Sequence, residues 1–118
     1  MVKTTQQLEY QRKRRKTKAG YIDRFLERAK QRTPDSDLTR DNLDVIFGEK
    51  CLITGVLFQY EKTYTAYHNA LAPSIDRIDS QRGYYLDNVQ IILSCLNRFK
   101  NDMPNEEFLE LWSVLVAK

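Results

Sequence analysis

Residues 73–100 constrain the fold of this chain most, because they predict four elements in a fixed order. Residues 74–79 are predicted to form a short strand that contains Asp76, and residues 80–87 have the Ser, Gly and Asp content of a long turn. In Val89–Leu93, the apolar residues Val89, Ile91 and Leu93 stand at every second position, which predicts a second strand, and a helix follows it. The order predicts a β-hairpin that folds against the next helix.

Helices are predicted on both sides of this hairpin. The apolar stripe that starts at Tyr21 predicts a helix ending near Arg32, before a Thr-Pro pair that disfavours helix. Thr39 is a good N-cap for a second, short helix. Residues 105–116 predict a last helix, whose core-facing stripe would be Phe108, Leu111, Trp112 and Leu115.

The length of 118 residues predicts one small α+β domain, with N-terminal helices, the hairpin and its helix, and a C-terminal helix. We expect a basic N-terminal segment over residues 1–19, helical or disordered, and the folded domain over residues 20–118. Residues 1–18 carry seven basic side chains and one acidic side chain, whereas the rest of the chain carries 12 basic and 15 acidic ones.

A basic arm on a slightly acidic body favours a polyanionic partner, and DNA is the partner we expect, because phosphate neutralisation is a general source of affinity. The alternative is a solvated helix face. The candidate phosphate contacts in this arm are Arg12, Lys13, Arg14, Arg15, Lys16 and Lys18.

Composition excludes several other classes. No apolar run approaches the roughly 18 residues of a membrane span, and the N-terminus lacks the apolar region of a secretory signal, so we expect a cytoplasmic protein with no membrane partner. The two cysteines exclude a disulfide-dense scaffold and a four-cysteine zinc site. The chain is too short for a large organic cofactor beside a catalytic domain, and it is compatible with a homodimer.

Asp76 is the first residue that suggests chemistry, because a carboxylate inside an apolar strand needs a partner or a metal ion. A hairpin folded against the next helix would bring Asp76 close to Asn97, and two oxygen ligands suit Mg²⁺, with Mn²⁺ as the alternative. Asn88 is expected to tie the long turn to itself through local hydrogen bonds. Arg98 and Lys100 on the helix are candidate phosphate contacts, unless they form a solvated face.

These residues together resemble the HNH endonuclease family, whose motif is also called the ββα-metal finger. The resemblance spans residues 49–112 and includes the flanking features of small HNH proteins that phages encode. It implies a metal-dependent endonuclease that hydrolyses DNA phosphodiester bonds in a bacterial or phage-infected cell, with Asp76 and Asn97 as metal ligands and Asn88 as a brace. The matching positions are Ser74-Ile-Asp76-Arg77-Ile-Asp79, Gly83-Tyr84, Asn88-Val-Gln90, Asn97, Lys100-Asn-Asp102, Cys51-x-x-Thr54-Gly55 and Glu106-Glu-Phe108.

The chain departs from the family at Arg77, which stands where the family has the histidine that activates water. A guanidinium stays protonated and cannot act as that base. One explanation is that His68, Tyr84 or Tyr85 takes the proton, since some similar nucleases carry Arg here and rely on a tyrosine. A second is that Arg77 holds the scissile phosphate and no dedicated base is needed. A third is a catalytically silent DNA-binding module, and a nuclease specific for branched DNA is a further alternative.

Overall fold

The computed structural model describes residues 2–61 and 69–117, and within them the chain has the small α+β fold that the sequence predicts. None of the helices in these two ranges has the length and apolar character needed to cross a membrane. Two predicted site residues, His68 and the side chain of Arg15, lie outside the described part. The elements are α1 (Thr5–Arg15), α2 (Lys18–Arg32), α3 (Arg40–Ile46), β1 (Pro73–Arg77), β2 (Val89–Leu93), α4 (Ser94–Lys100) and α5 (Asn105–Val116).

The N-terminal helices begin at caps that the sequence encodes. The Thr4 side chain accepts a hydrogen bond from the amide of Gln7 in a capping box, and Thr17 caps α2 by accepting from the amide of Gly20. The basic N-terminal segment is therefore helical over most of its length. Because α2 begins at Lys18, the expected boundary between residues 19 and 20 falls inside its first turn.

The two strands form an antiparallel hairpin in which Asp76 lies opposite Gln90. A short 3-10 turn at Leu86–Asn88 ends the loop between them, and α4 starts directly after β2 and packs on the hairpin. The buried strand residues form one core with apolar side chains of the helices, which include Phe25 on α2 and Phe47 after α3. The hairpin and α4 are thus held against α2 and α3 by a shared core.

The last helix has the predicted bounds, but its predicted core-facing stripe is only half buried. Phe108 is fully buried and Trp112 packs partly against the core, whereas Leu111 and Leu115 are 36% and 55% exposed. The prediction that all four side chains face the core is wrong for these two leucines. Helical spacing places the four residues on one face, but the core extends along only the first part of α5.

Candidate active site

Asp76 is buried, at 5% exposure, and two side chains hold its carboxylate. Lys100 Nζ lies 2.6 Å from Asp76 Oδ2, and Gln90 Nε2 donates a hydrogen bond to the same oxygen at 2.9 Å. Gln90 reaches Asp76 because the register places them directly opposite each other on neighbouring strands. The partner that a buried carboxylate needs is therefore a lysine of this chain.

Lys100 is a buried partner of Asp76, which corrects its prediction as a surface contact for DNA. Its side chain is 2% exposed, and its ammonium also donates to the carbonyls of Arg77 at 2.9 Å and Ile78 at 3.4 Å. These three acceptors use all three N–H bonds of the ammonium. Arg98, the other predicted contact on α4, is exposed.

Asn97 lies one turn before Lys100 on α4 and faces the same strand. Its Nδ2 donates to Ser74 Oγ at 2.7 Å and to the carbonyl of Ile75 at 3.1 Å. Its Oδ1 accepts no hydrogen bond from the described residues, and the same is true of Asp76 Oδ1, because both bonds to Asp76 end on Oδ2. Asp76 and Asn97 thus each retain one oxygen for a ligand.

Both residues line a polar cleft of about 200 Å³. The cleft lies where α2, β1, the hairpin loop and the C-terminal end of α4 meet. Its walls are formed by Arg28, Arg32, Ile75, Asp76, Arg77, Ser80, Tyr84, Asn97 and Asn101. The structure therefore brings together Asp76, Asn97, Arg77 and Tyr84, which the sequence singles out separately.

Arg77 has no carboxylate partner in residues 2–61 and 69–117. Its Nη1 donates to the carbonyl of Arg82 at 3.3 Å, and its guanidinium carbon lies 5.3 Å from the centre of the Tyr84 ring. A cation over an aromatic face is held in place while its N–H groups stay available. Arg77 is thus an oriented guanidinium at the wall of the cleft.

The two loop tyrosines have different environments. Tyr84 is 6% exposed and lines the cleft, and its hydroxyl makes no hydrogen bond within the described ranges. The Tyr85 hydroxyl donates to Asp35 Oδ1 at 2.7 Å, which raises the pKa of Tyr85, and this residue does not line the cleft. Of the two loop tyrosines that were predicted as candidate bases, the geometry favours Tyr84.

Asn88 ties the loop together, as the sequence predicts. It is 1% exposed, and its Nδ2 donates to the carbonyls of Asp79 at 3.0 Å and Gly83 at 2.9 Å. Its Oδ1 accepts from the amide of Asp79 at 2.9 Å. These bonds fix both ends of the turn that follows Arg77, so Asn88 shapes the cleft through the backbone.

The turn that follows α2 fastens this loop to the helix. Thr33 Oγ1 accepts from the amide of Tyr84 at 2.9 Å, and Ser36 Oγ donates to the carbonyl of Tyr84 at 2.5 Å. A Cβ at Gly83 would lie 2.6 Å from Thr33 Oγ1, so a residue without a side chain is required at this contact. These bonds of Thr33 and Ser36 to Tyr84, which we call the clamp, fix the C-terminal end of α2 beside the cleft.

Sequence reasoning missed Arg28 and Arg32 as residues of this site. They are four positions apart and therefore share one face of α2, and this spacing in the sequence already indicated a pair of neighbouring positive charges. The sequence did not show which surface that face meets, because the clamp joins positions about 50 residues apart.

Asn101 follows α4 and has an unusual backbone conformation, with φ 52° and ψ −122°. The amide of Met103 bonds the carbonyl of Lys100 at 2.9 Å across this turn. Glycine adopts such a conformation more readily than asparagine, so the backbone at Asn101 is strained. The turn brings Asn101 to the wall of the cleft.

Several basic residues of the N-terminal segment have partners within the chain. The hydrogen bond from Arg14 to Asp23 raises the pKa of Arg14. Arg12 and Lys13 are exposed and form no ion pair with any described residue. They are the predicted contacts that remain most available to DNA. The paired residues are Arg14 with Asp23 at 2.8 Å, Lys16 with Glu61 at 4.0 Å and Lys18 with Asp44 at 3.0 Å.

No family model, curated protein or solved structure matches this chain. Across the described ranges, no three His, Cys, Asp or Glu side chains gather as a metal site. The candidate site instead combines one carboxylate oxygen, one amide oxygen and three guanidinium groups around one cleft.

Proposed function

We propose that this protein is a metal-dependent endonuclease that hydrolyses DNA phosphodiester bonds in the cleft. The observation that supports this most is that Asp76, Asn97 and Arg77 line the same cleft, and the first two each retain an oxygen without a hydrogen bond from the described residues. The resemblance of these positions to the HNH motif adds a second, independent argument.

The donor set fits a hard divalent ion. Mg²⁺ is usually held by one or two protein oxygens and completes its coordination with water and substrate phosphate. Asp76 and Asn97 would hold the ion through their Oδ1 atoms. When bound, a divalent ion supplies Lewis-acid stabilisation of the negative charge that develops on the phosphate.

The chain's own residues supply positioning and proton transfer. Arg77 presents a planar fork that can hold a phosphate with two parallel hydrogen bonds. Tyr84 is held beside Arg77, and its phenolate oxygen, which has already released its own proton to solvent, is the group that we assign to receive the proton of the attacking water. Asn88 keeps the loop that carries Tyr84 in shape.

Cleavage of supercoiled plasmid in Mg²⁺ or Mn²⁺, with and without EDTA, tests the proposal. We expect metal-dependent nicking or linearisation, and Arg77→Lys should lower the rate constant by one or more powers of ten, since loss of one such donor costs about 3 kcal/mol. Arg40→Lys is the matched control, because Arg40 is exposed and does not line the cleft. Equal rates for both variants would remove Arg77 from the reaction.

One observation favours a second candidate, a DNA-binding module without catalysis. Lys100 already neutralises Asp76, so the carboxylate is satisfied without a metal ion. This candidate predicts that the wild-type protein binds plasmid but leaves it intact under every divalent metal tested. The same plasmid assay, with a binding measurement beside it, separates the two functions.

A further inference from the structure

We propose that Arg28 and Arg32 of α2 form, together with Arg77, a binding site for backbone phosphates of the DNA strand in the cleft. This inference rests on the proposed function and extends the substrate site to a helix outside the hairpin and α4. Three guanidinium groups from two separate parts of the chain then share one ligand.

The first argument is the charge of the cleft. Three of its wall residues are arginines and one is a carboxylate, and Lys100 already pairs with that carboxylate. The side chains of Arg28 and Arg32, which lie on α2, form no ion pair or hydrogen bond with any residue in the described ranges. Because they stand four positions apart on one helix, their charges repel each other. An anionic ligand would relieve this repulsion.

The second argument is that the arginines are held in place relative to the hairpin. Arg28 and Arg32 flank Ala29, which is fully buried, so this part of α2 is anchored in the core. The hydrogen bonds of Thr33 and Ser36 to the backbone of Tyr84 then fasten the end of α2 to the loop. A site built on anchored elements binds with less loss of conformational entropy than one on a free arm.

The third argument identifies the source of the phosphate. The cleft, at about 200 Å³, is smaller than the roughly 300–1,000 Å³ of pockets that enclose whole small molecules. Its walls are polar and offer little apolar surface for a base. The cleft therefore fits phosphate groups of a polymer that lies across it better than a free nucleotide.

Binding of a labelled DNA duplex in EDTA tests the inference without cleavage. The variant R28Q/R32Q should bind about tenfold more weakly than wild type, and its slope of log affinity against log salt should be shallower by roughly one to two. The matched control is K30Q/K50Q, which removes the same charge from exposed lysines that do not line the cleft. Both arginines are exposed on α2, so we expect R28Q/R32Q to fold normally, and its melting temperature checks this.

Competition with inorganic phosphate and with a 5′-mononucleotide distinguishes a site for the backbone phosphates of DNA from a site for free phosphate or a free nucleotide. If either competitor displaces the duplex at an equal concentration of phosphate groups, the assignment to backbone phosphates is overturned. Equal affinity and equal salt slope for R28Q/R32Q and K30Q/K50Q would overturn the inference even if plasmid cleavage is observed. A wild-type protein that cleaves nothing would overturn the proposed function, whereas weaker duplex binding by R28Q/R32Q alone would still support the phosphate site.

Discussion

Replacing Asp76 by alanine should destabilise the fold, whatever its effect on cleavage. The substitution leaves the ammonium of Lys100 buried at 2% exposure without its carboxylate. Lys100 would keep its bonds to the carbonyls of Arg77 and Ile78. Gln90 would lose one acceptor and keep Asn105 Oδ1 at 3.1 Å.

The expected cost follows from this burial. Removing one partner of a buried ion pair typically costs about 3–5 kcal/mol, because the other charge is left uncompensated. Because Lys100 keeps two carbonyl acceptors, we expect Asp76→Ala to lower the free energy of unfolding by about 3 kcal/mol, near the lower end of this range. Small domains have roughly 5–15 kcal/mol of total stability, so the loss is a large fraction. A fall in Tm of roughly 10–20 °C corresponds to it.

Urea denaturation, monitored by circular dichroism, measures this loss of stability. Two further variants show whether the loss comes from the buried charge of Lys100. Asp87→Ala is the matched control, because Asp87 forms an exposed ion pair with Arg82 and should contribute no more than about 1 kcal/mol. The double variant Asp76→Ala with Lys100→Met removes the buried charge and should recover part of the stability. An Asp76→Ala protein that unfolds at the wild-type urea concentration would refute the reasoning. Lost cleavage in Asp76→Ala says little about a metal ligand until its folding is measured.

Two further expectations concern the loop. Gly83→Ala should cost about 1–3 kcal/mol in thermal or urea unfolding, because the added Cβ would lie 2.6 Å from Thr33 Oγ1, and an unchanged Tm would contradict the close approach. Tyr84→Phe should slow plasmid cleavage while leaving Tm nearly unchanged. Tyr85→Phe should lower Tm slightly, through the lost bond to Asp35, and leave the rate per folded molecule unchanged. The reverse pattern would assign the base to Tyr85.

Local patterns predicted the parts of the fold that local chemistry determines. The apolar residues at every second position of Val89–Leu93 and the helical spacing in Asn105–Val116 identify a strand and a helix with the bounds that the structure has. Thr39 caps α3 in a capping box, and the amide of Asn88 bonds within its own loop. Each of these features depends on residues that are near one another in sequence.

Features that depend on contacts between distant segments were missed. The sequence showed that Asp76 needs a partner, but not that the partner is Lys100, because a lysine at a helix end is usually solvated. Leu96 and Lys100 are four positions apart, so their shared face on α4 was a usable signal. Leu111 followed the spacing of a core residue, yet its side chain is 36% exposed, because spacing along one helix does not show how far the core extends beside it.

The clamp between the turn after α2 and the hairpin loop has a consequence for the order of folding. Its side-chain bonds and their neighbours, including Thr33 with Tyr84 and Asp37 with Leu86, join residues between 48 and 51 positions apart. The hairpin and α4 are contiguous in sequence, so they can assemble before these distant contacts form, because closing a long loop costs more entropy. The side of the cleft that carries Asp76, Asn97 and Arg77 can therefore form early, and the side that carries Arg28 and Arg32 of α2 joins it last.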